Sequence, residues 1–69
     1  MKLQTAVWKE GNLYIIKEVI TGVTTQGKTI EQAMKNIKEA VSLYLEEMPK
    51  VRNELKHITE IGAVSVEIA

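Results

Sequence analysis

The side chains in this chain that could do chemistry are few, and they do not group. Ser42 and Ser65 are the only serines, His57 is the only histidine, and cysteine and aspartate are both absent. Hydrolysis needs a nucleophile with a base and an orienter, or else a metal held by acids and imidazoles. Neither serine has an evident pairing with His57, and Ser42 falls on the polar side of a helical pattern. Glu54 and His57 have the Glu-x-x-His spacing of di-iron bundles, but such sites take two of these motifs and two further glutamates. A single motif reads as a solvated histidine. Glu10, Glu18, Glu46 and Glu47 fall at element ends or on solvated faces. Gly11, Gly22, Gly27 and Gly62 stand apart, as turn or strand glycines do, and form no phosphate-binding loop. The expectation is a protein that is not an enzyme, with no catalytic residue, no bound metal and no cofactor.

Composition narrows the class of partner. Nine basic residues balance nine acidic ones, so the electrostatic footprint of a nucleic-acid binder is missing. Lys50, Arg52 and Lys56 form a small basic cluster, but Glu46, Glu47 and Glu54 dilute it and no aromatic residue interleaves it. No apolar run has the length of a membrane span, and Lys2 to Lys9 is too short and too polar for a signal peptide. A soluble cytoplasmic protein is expected. At 69 residues without cysteine, residues 1–69 make one small domain whose stability must come from burial, shared or not with a second subunit.

The elements follow from periodicity. Thr29 to Met48 carries Ile30, Ala33, Met34, Ile37, Ala40, Val41, Tyr44, Leu45 and Met48 at helical spacing, for about five turns. Thr29 and Gln32 have capping-box spacing, Glu31 precedes Lys35 by four, and Pro49 ends the helix. Before it, Leu3–Lys9 and Leu13–Val19 read as strands around the turn Glu10-Gly11-Asn12, an antiparallel hairpin. Thr21-Gly22 marks a second reversal, and Val23–Gln26 a short third strand. After Pro49 the spacing of Val51, Leu55 and Ile58 fits a short helix over Lys50–His57 and, nearly as well, an irregular connection. Ile61–Ile68 alternates Val64, Val66 and Ile68 against Ala63, Ser65 and Glu67, as a half-buried strand does.

The predicted fold class is therefore α+β, in the order β-β-β-α-β. It has a three-stranded antiparallel meander, one long helix on one face, and a fourth strand parallel to the first. A right-handed crossover then gives the sheet order 3-2-1-4. One helix covers one face, yet the second strand is apolar on both: Leu13 and Ile15 point one way, Tyr14 and Ile16 the other. Trp8 adds to the surplus, as does Leu43, which lies off the helix stripe among Gln32, Asn36 and Glu39. Trp8, Tyr14, Ile16 and Leu43 are the residues expected to serve a partner or self-association surface.

From Trp8 to Leu45 the sequence resembles the HicB-like antitoxin domain, including its short single-domain members. The residues that carry the resemblance begin with Val7-Trp8-Lys9-Glu10-Gly11 and Tyr14, then Gly22-Val23-Thr24-Thr25-Gln26-Gly27-Lys28-Thr29. Ile30-Glu31-Gln32-Ala33, Asn36-Ile37-Lys38-Glu39-Ala40 and Leu43-Tyr44-Leu45 follow. Thr25-Gln26-Gly27-Lys28-Thr29 matches the family's Thr-x-Gly-x-Thr segment. Where the family usually has Pro-x-Leu-Pro-Gly, this chain has Glu18-Val19-Ile20-Thr21-Gly22 and keeps only the glycine.

The resemblance implies a partial RNase H-like fold and a non-catalytic antitoxin that binds and neutralises a small HicA-like RNA-cleaving toxin, commonly as a dimer or other homo-oligomer. The longer members carry a C-terminal DNA-binding segment. With no room for one after Ile68, direct DNA binding is not expected here. Nuclease activity is not implied either, since RNase H catalysis rests on clustered carboxylates holding two metals. Two other classes stay open at this point. One is a nucleic-acid-binding module that stacks bases on Trp8 and Tyr14, and the other an accessory subunit of an enzyme.

Overall fold

A computed structural model describes residues 2–68. The hairpin, the third strand and the long helix form as their sequences predict, giving an α+β fold. The elements are β1 (Thr5–Glu10), β2 (Leu13–Glu18), β3 (Thr24–Gly27), α1 (Ile30–Glu47) and α2 (Pro49–Lys56). The strands make one antiparallel sheet in the order β1-β2-β3.

Local chemistry explains the turns. Glu10 pairs with Leu13 across the two-residue turn Gly11-Asn12. Gly11 is left-handed at φ 56° and Asn12 is not, the Gly-X pattern that matches the twist of paired strands. The β2–β3 reversal is built on Glu18. The N–H groups of Ile20 and Thr21 donate to its carboxylate Oε1 at 3.0 and 2.7 Å. Gly22 closes the turn at φ 75°. Glu18 does end its strand, but it is 1% exposed rather than solvated.

α1 starts at Thr29, whose backbone is extended and whose Oγ1 accepts from the Gln32 N–H at 3.1 Å. The Gln32 side chain reaches back one residue beyond the cap, accepting from the Lys28 N–H at 2.7 Å. Pro49 ends α1 and opens α2, where its missing donor is harmless at the first helical position. The choice left open over residues 50–57 is thereby decided in favour of a helix.

The core lies between α1 and the sheet: Ile16 from β2 against Ala33, Ile37, Val41 and Leu45. Leu3, Tyr14, Val23, Tyr44, Val51 and Leu55 pack around it, half-buried. Ile30, Met34 and Met48, at the borders of the helix stripe, remain exposed. α1 packs on β2 and β3, and β1 lies outside its reach.

The fourth strand does not accompany the other three. Residues 61–68 have no regular structure, and among the described residues nothing pairs with the free edge of β1. Val64, Val66 and Ile68 are 87%, 75% and 94% exposed. A lone strand on that edge would have no layer above or below it, so it would gain edge hydrogen bonds without apolar burial.

Candidate protein-interaction surface

The residues that could carry chemistry stay apart in three dimensions. Ser42 Oγ donates to the Lys38 carbonyl at 2.7 Å, an ordinary bond within the helix. His57 caps α2, with its Nδ1 2.7 Å from the Asn53 carbonyl oxygen. Ser65 lies in the segment without regular structure. Among the described residues no three of His, Cys, Asp and Glu lie close enough together to hold a metal ion.

The Thr-x-Gly-x-Thr stretch and the helix that follows it are occupied with joining β3 to α1. Thr25 Oγ1 donates to the Ala33 carbonyl at 3.3 Å, and Asn36 Nδ2 to the Gln26 carbonyl at 2.9 Å. Gly27 lets the strand lie against the first turn of α1: a Cβ there would be 2.6 Å from the Ala33 nitrogen. Thr29 is the cap. Thr25, Gly27 and Thr29 thus have structural tasks, while Gln26 and Lys28 take part through their backbone and leave their side chains exposed.

What remains is β1. All six of its residues are exposed. Paired residues in antiparallel strands share a face, so the register sorts them. Thr5, Val7 and Lys9 lie on the α1 side with Glu18, Ile16 and Tyr14; Ala6, Trp8 and Glu10 lie on the outer side with Lys17, Ile15 and Leu13. On the outer side the Trp8 indole lies along the strand, its Nε1 donating to Glu10 Oε1 at 3.0 Å. Beside it Leu13 and Ile15 are half-buried with no layer over them. On the inner side Val7 is exposed, and the Lys9 ammonium sits 5.5 Å from the Tyr14 ring centroid. β1 therefore offers two faces and an edge, all unpartnered among the described residues.

The four residues expected at an association surface are not brought together on one face. Trp8 belongs to the outer face of β1. Tyr14 is half-buried on the inner face, and Ile16 is core, 1% exposed beneath α1. Ile16 leaves the set because α1 has to cover one side of β2, and its side was chosen. Leu43 is exposed, but it sits two residues from both Val41 and Leu45 and so on the far side of α1. The structure adds Val7 and Lys9 as exposed residues on the inner side of β1, which alternation within that strand could have found, had the helix been known to miss it.

An open cleft of about 460 Å³ lies at the start of β1. Leu3 and Gln4 line it together with Glu18 and Ile20 of the β2–β3 reversal, Arg52 of α2, and Ile58 and Ile61. The segment after α2 thus borders the same cleft as the residues that lead into β1. No helix of the described residues is long and apolar enough to cross a membrane.

A family of unknown function, DUF7387, matches this sequence over residues 3–67. The chain is also similar to a UPF0150 protein of Helicobacter pylori strain J99. The two are 33% identical over 72 aligned positions, which take in 100% of this chain and 97% of that protein. No solved structure matches.

Proposed function

The chain belongs to the DUF7387 family, and from that premise we propose that it is a non-catalytic, HicB-like protein-binding module. Its role would be that of an antitoxin: to bind and neutralise a small HicA-like RNA-cleaving toxin in the cytoplasm, working as a homodimer. The observation that carries this reading is β1, exposed along its whole length on both faces and free at one edge. A strand left in that state is a template for another polypeptide. The resemblance between residues 8 and 45 supports the choice of partner, and the scattered serines, histidine and acids support a role without catalysis.

In this reading the family's partial RNase H-like sheet is completed by residues 61–68 at the β1 edge, in the order 3-2-1-4. The cleft at the start of β1 supports it, because Ile58, Thr59 and Ile61 line it together with Leu3 and Gln4. Affinity for the toxin would come from apolar area and shape on the outer face rather than from charge. A nucleic-acid-binding role has less support. Trp8 and Tyr14 lie on opposite faces of the sheet, so they cannot present adjacent stacking platforms to one strand.

Co-expression tests the proposal. The chain, produced together with the product of a neighbouring small basic reading frame, should relieve growth arrest by that product and co-purify with it. Trp8→Glu should abolish both while leaving the helical circular dichroism intact. A neighbouring product that is not toxic, or a toxic one that the chain neither binds nor relieves, would remove the antitoxin reading.

A further inference from the structure

We infer that the cleft at the start of β1 is a binding site for a small amphipathic anion, an acidic head group carried on an apolar body. The inference does not rest on the antitoxin reading, and it needs neither the outer face of β1 nor a second copy.

Shape is the first ground. The cleft, about 460 Å³, falls within the roughly 300–1,000 Å³ of small-molecule sites. Its walls come from separate parts of the chain: the lead-in to β1, the β2–β3 reversal, α2 and the residues after it. A hollow bounded by so many segments suits a compact ligand better than a peptide, which takes a sheet edge or a groove. Leu3, Leu55 and Ile61 line it half-buried, while Ile20 and Ile58 are each 38% exposed. Apolar side chains left in water within a concave site are what the body of a ligand would cover.

Charge is the second ground. Along the sequence Glu46, Glu47 and Glu54 dilute the basic cluster, but the fold separates them from it. At about 100° per residue, Arg52 and Lys56 lie together on one flank of Val51 and Leu55, and Glu54 lies on the other. Arg52, Lys56 and Lys2 line the cleft, and Arg52 and Lys56 also line a neighbouring shallow hollow with Lys50. Glu46, Glu47 and Glu54 line neither. The acids that do border the cleft are Glu18 and Glu60. Glu18 is 1% exposed, with its Oε1 engaged by two backbone N–H groups of the reversal. Glu60 is exposed on the segment after α2. The α2 wall is therefore the cationic one in a chain of no net charge. An anionic head set against it would meet the planar fork of Arg52 and the ammonium of Lys56. Nucleic acid fits less well, because no aromatic side chain among the described residues lines the cleft to stack a base.

Titration of the whole chain with decanoate, below its micelle concentration and followed by NMR shifts, tests the inference. The shifts should saturate and map to Leu3, Ile20, Leu55, Ile58 and Ile61. Decanol keeps the apolar body and loses the charge, so it should bind about fivefold or more weakly, the scale of two exposed ion pairs. R52Q/K56Q should weaken decanoate by the same factor while leaving decanol binding and the helical circular dichroism unchanged. Inorganic phosphate, an anion without an apolar body, should bind more weakly than decanoate. Trp8→Glu should bind decanoate as the parent does, so toxin capture can fail with this result intact, and the reverse also holds. The inference would be overturned by shifts that do not saturate or that centre elsewhere, or by decanol or phosphate binding as tightly as decanoate. An R52Q/K56Q variant indistinguishable from the parent would overturn it too. So would an acidic peptide or an oligonucleotide that binds the same residues more tightly than decanoate.

Discussion

Glu18 is the one charged residue buried among those described, and its carboxylate receives two backbone N–H groups. In the chain it occupies the start of the stretch where HicB-like proteins usually carry two prolines. Prolines shape a turn by restricting φ; here a carboxylate does so by accepting from the turn's donors. Glu18→Ala should therefore lower stability by about 1–3 kcal/mol, because two part-buried N–H groups would lose their acceptor. Glu18→Gln keeps an acceptor oxygen, and urea denaturation should show it closer to the parent than to Glu18→Ala. Gly27 makes the second test at this scale. A methyl group 2.6 Å from the Ala33 nitrogen forces backbone to move, so Gly27→Ala should cost about 1–3 kcal/mol through overpacking. Equal urea midpoints for Gly27→Ala and the parent would mean that β3 is not held as close to α1 as described.

The same motif acts at the scale of elements. Thr29 ends β3's lead-in and starts α1, and its hydroxyl satisfies one of the four donors that a helix start leaves over. Thr29→Ala should lower stability by about 1 kcal/mol, and Thr29→Ser by much less, by thermal denaturation. The helix itself was legible from its spacing, and the hairpin from Gly11 and the alternation around it, because both depend on neighbours within a few residues. The short helix after Pro49 was half-legible: Val51 and Leu55 have the spacing and Ile58 continues it beyond the helix, but eight residues carry too little periodic signal to choose helix over loop. The strand expected over residues 61–68 shows the opposite case. Its alternation is clear, but a strand exists only where an edge and a covering layer meet it, and neither is a property of the segment.

For the whole molecule, the informative feature is the offset of α1 toward β2 and β3. The offset keeps Ile16 in the core and leaves Val7 in water on the α1 side of the sheet, while Trp8 lies on the outer face, which has no layer over it among the described residues. It makes the chain thin, with a shortest extent of 17 Å, and open on the β1 side. On the proposed reading, the chain should gain stability from whatever covers β1. The melting temperature should accordingly rise with protein concentration, as mass action requires of a folded state that self-associates. Trp8 fluorescence should shift to the blue over the same range, as the indole leaves water. A melting temperature and an emission maximum both independent of concentration would speak for a stable monomer.

By itself the sequence determined the order and type of the local elements: the hairpin, the third strand, the long capped helix and its stop at Pro49. It also determined that chemically capable side chains are few and scattered, since types and numbers need no coordinates. Only the tertiary structure decided which side of β2 is buried, that the Thr-x-Gly-x-Thr motif is spent on joining β3 to α1, and that β1 is left uncovered. Those outcomes depend on where a helix comes to rest on a sheet. That is fixed by close approaches such as Gly27 against Ala33, between residues of different elements, and periodicity along the chain does not record them.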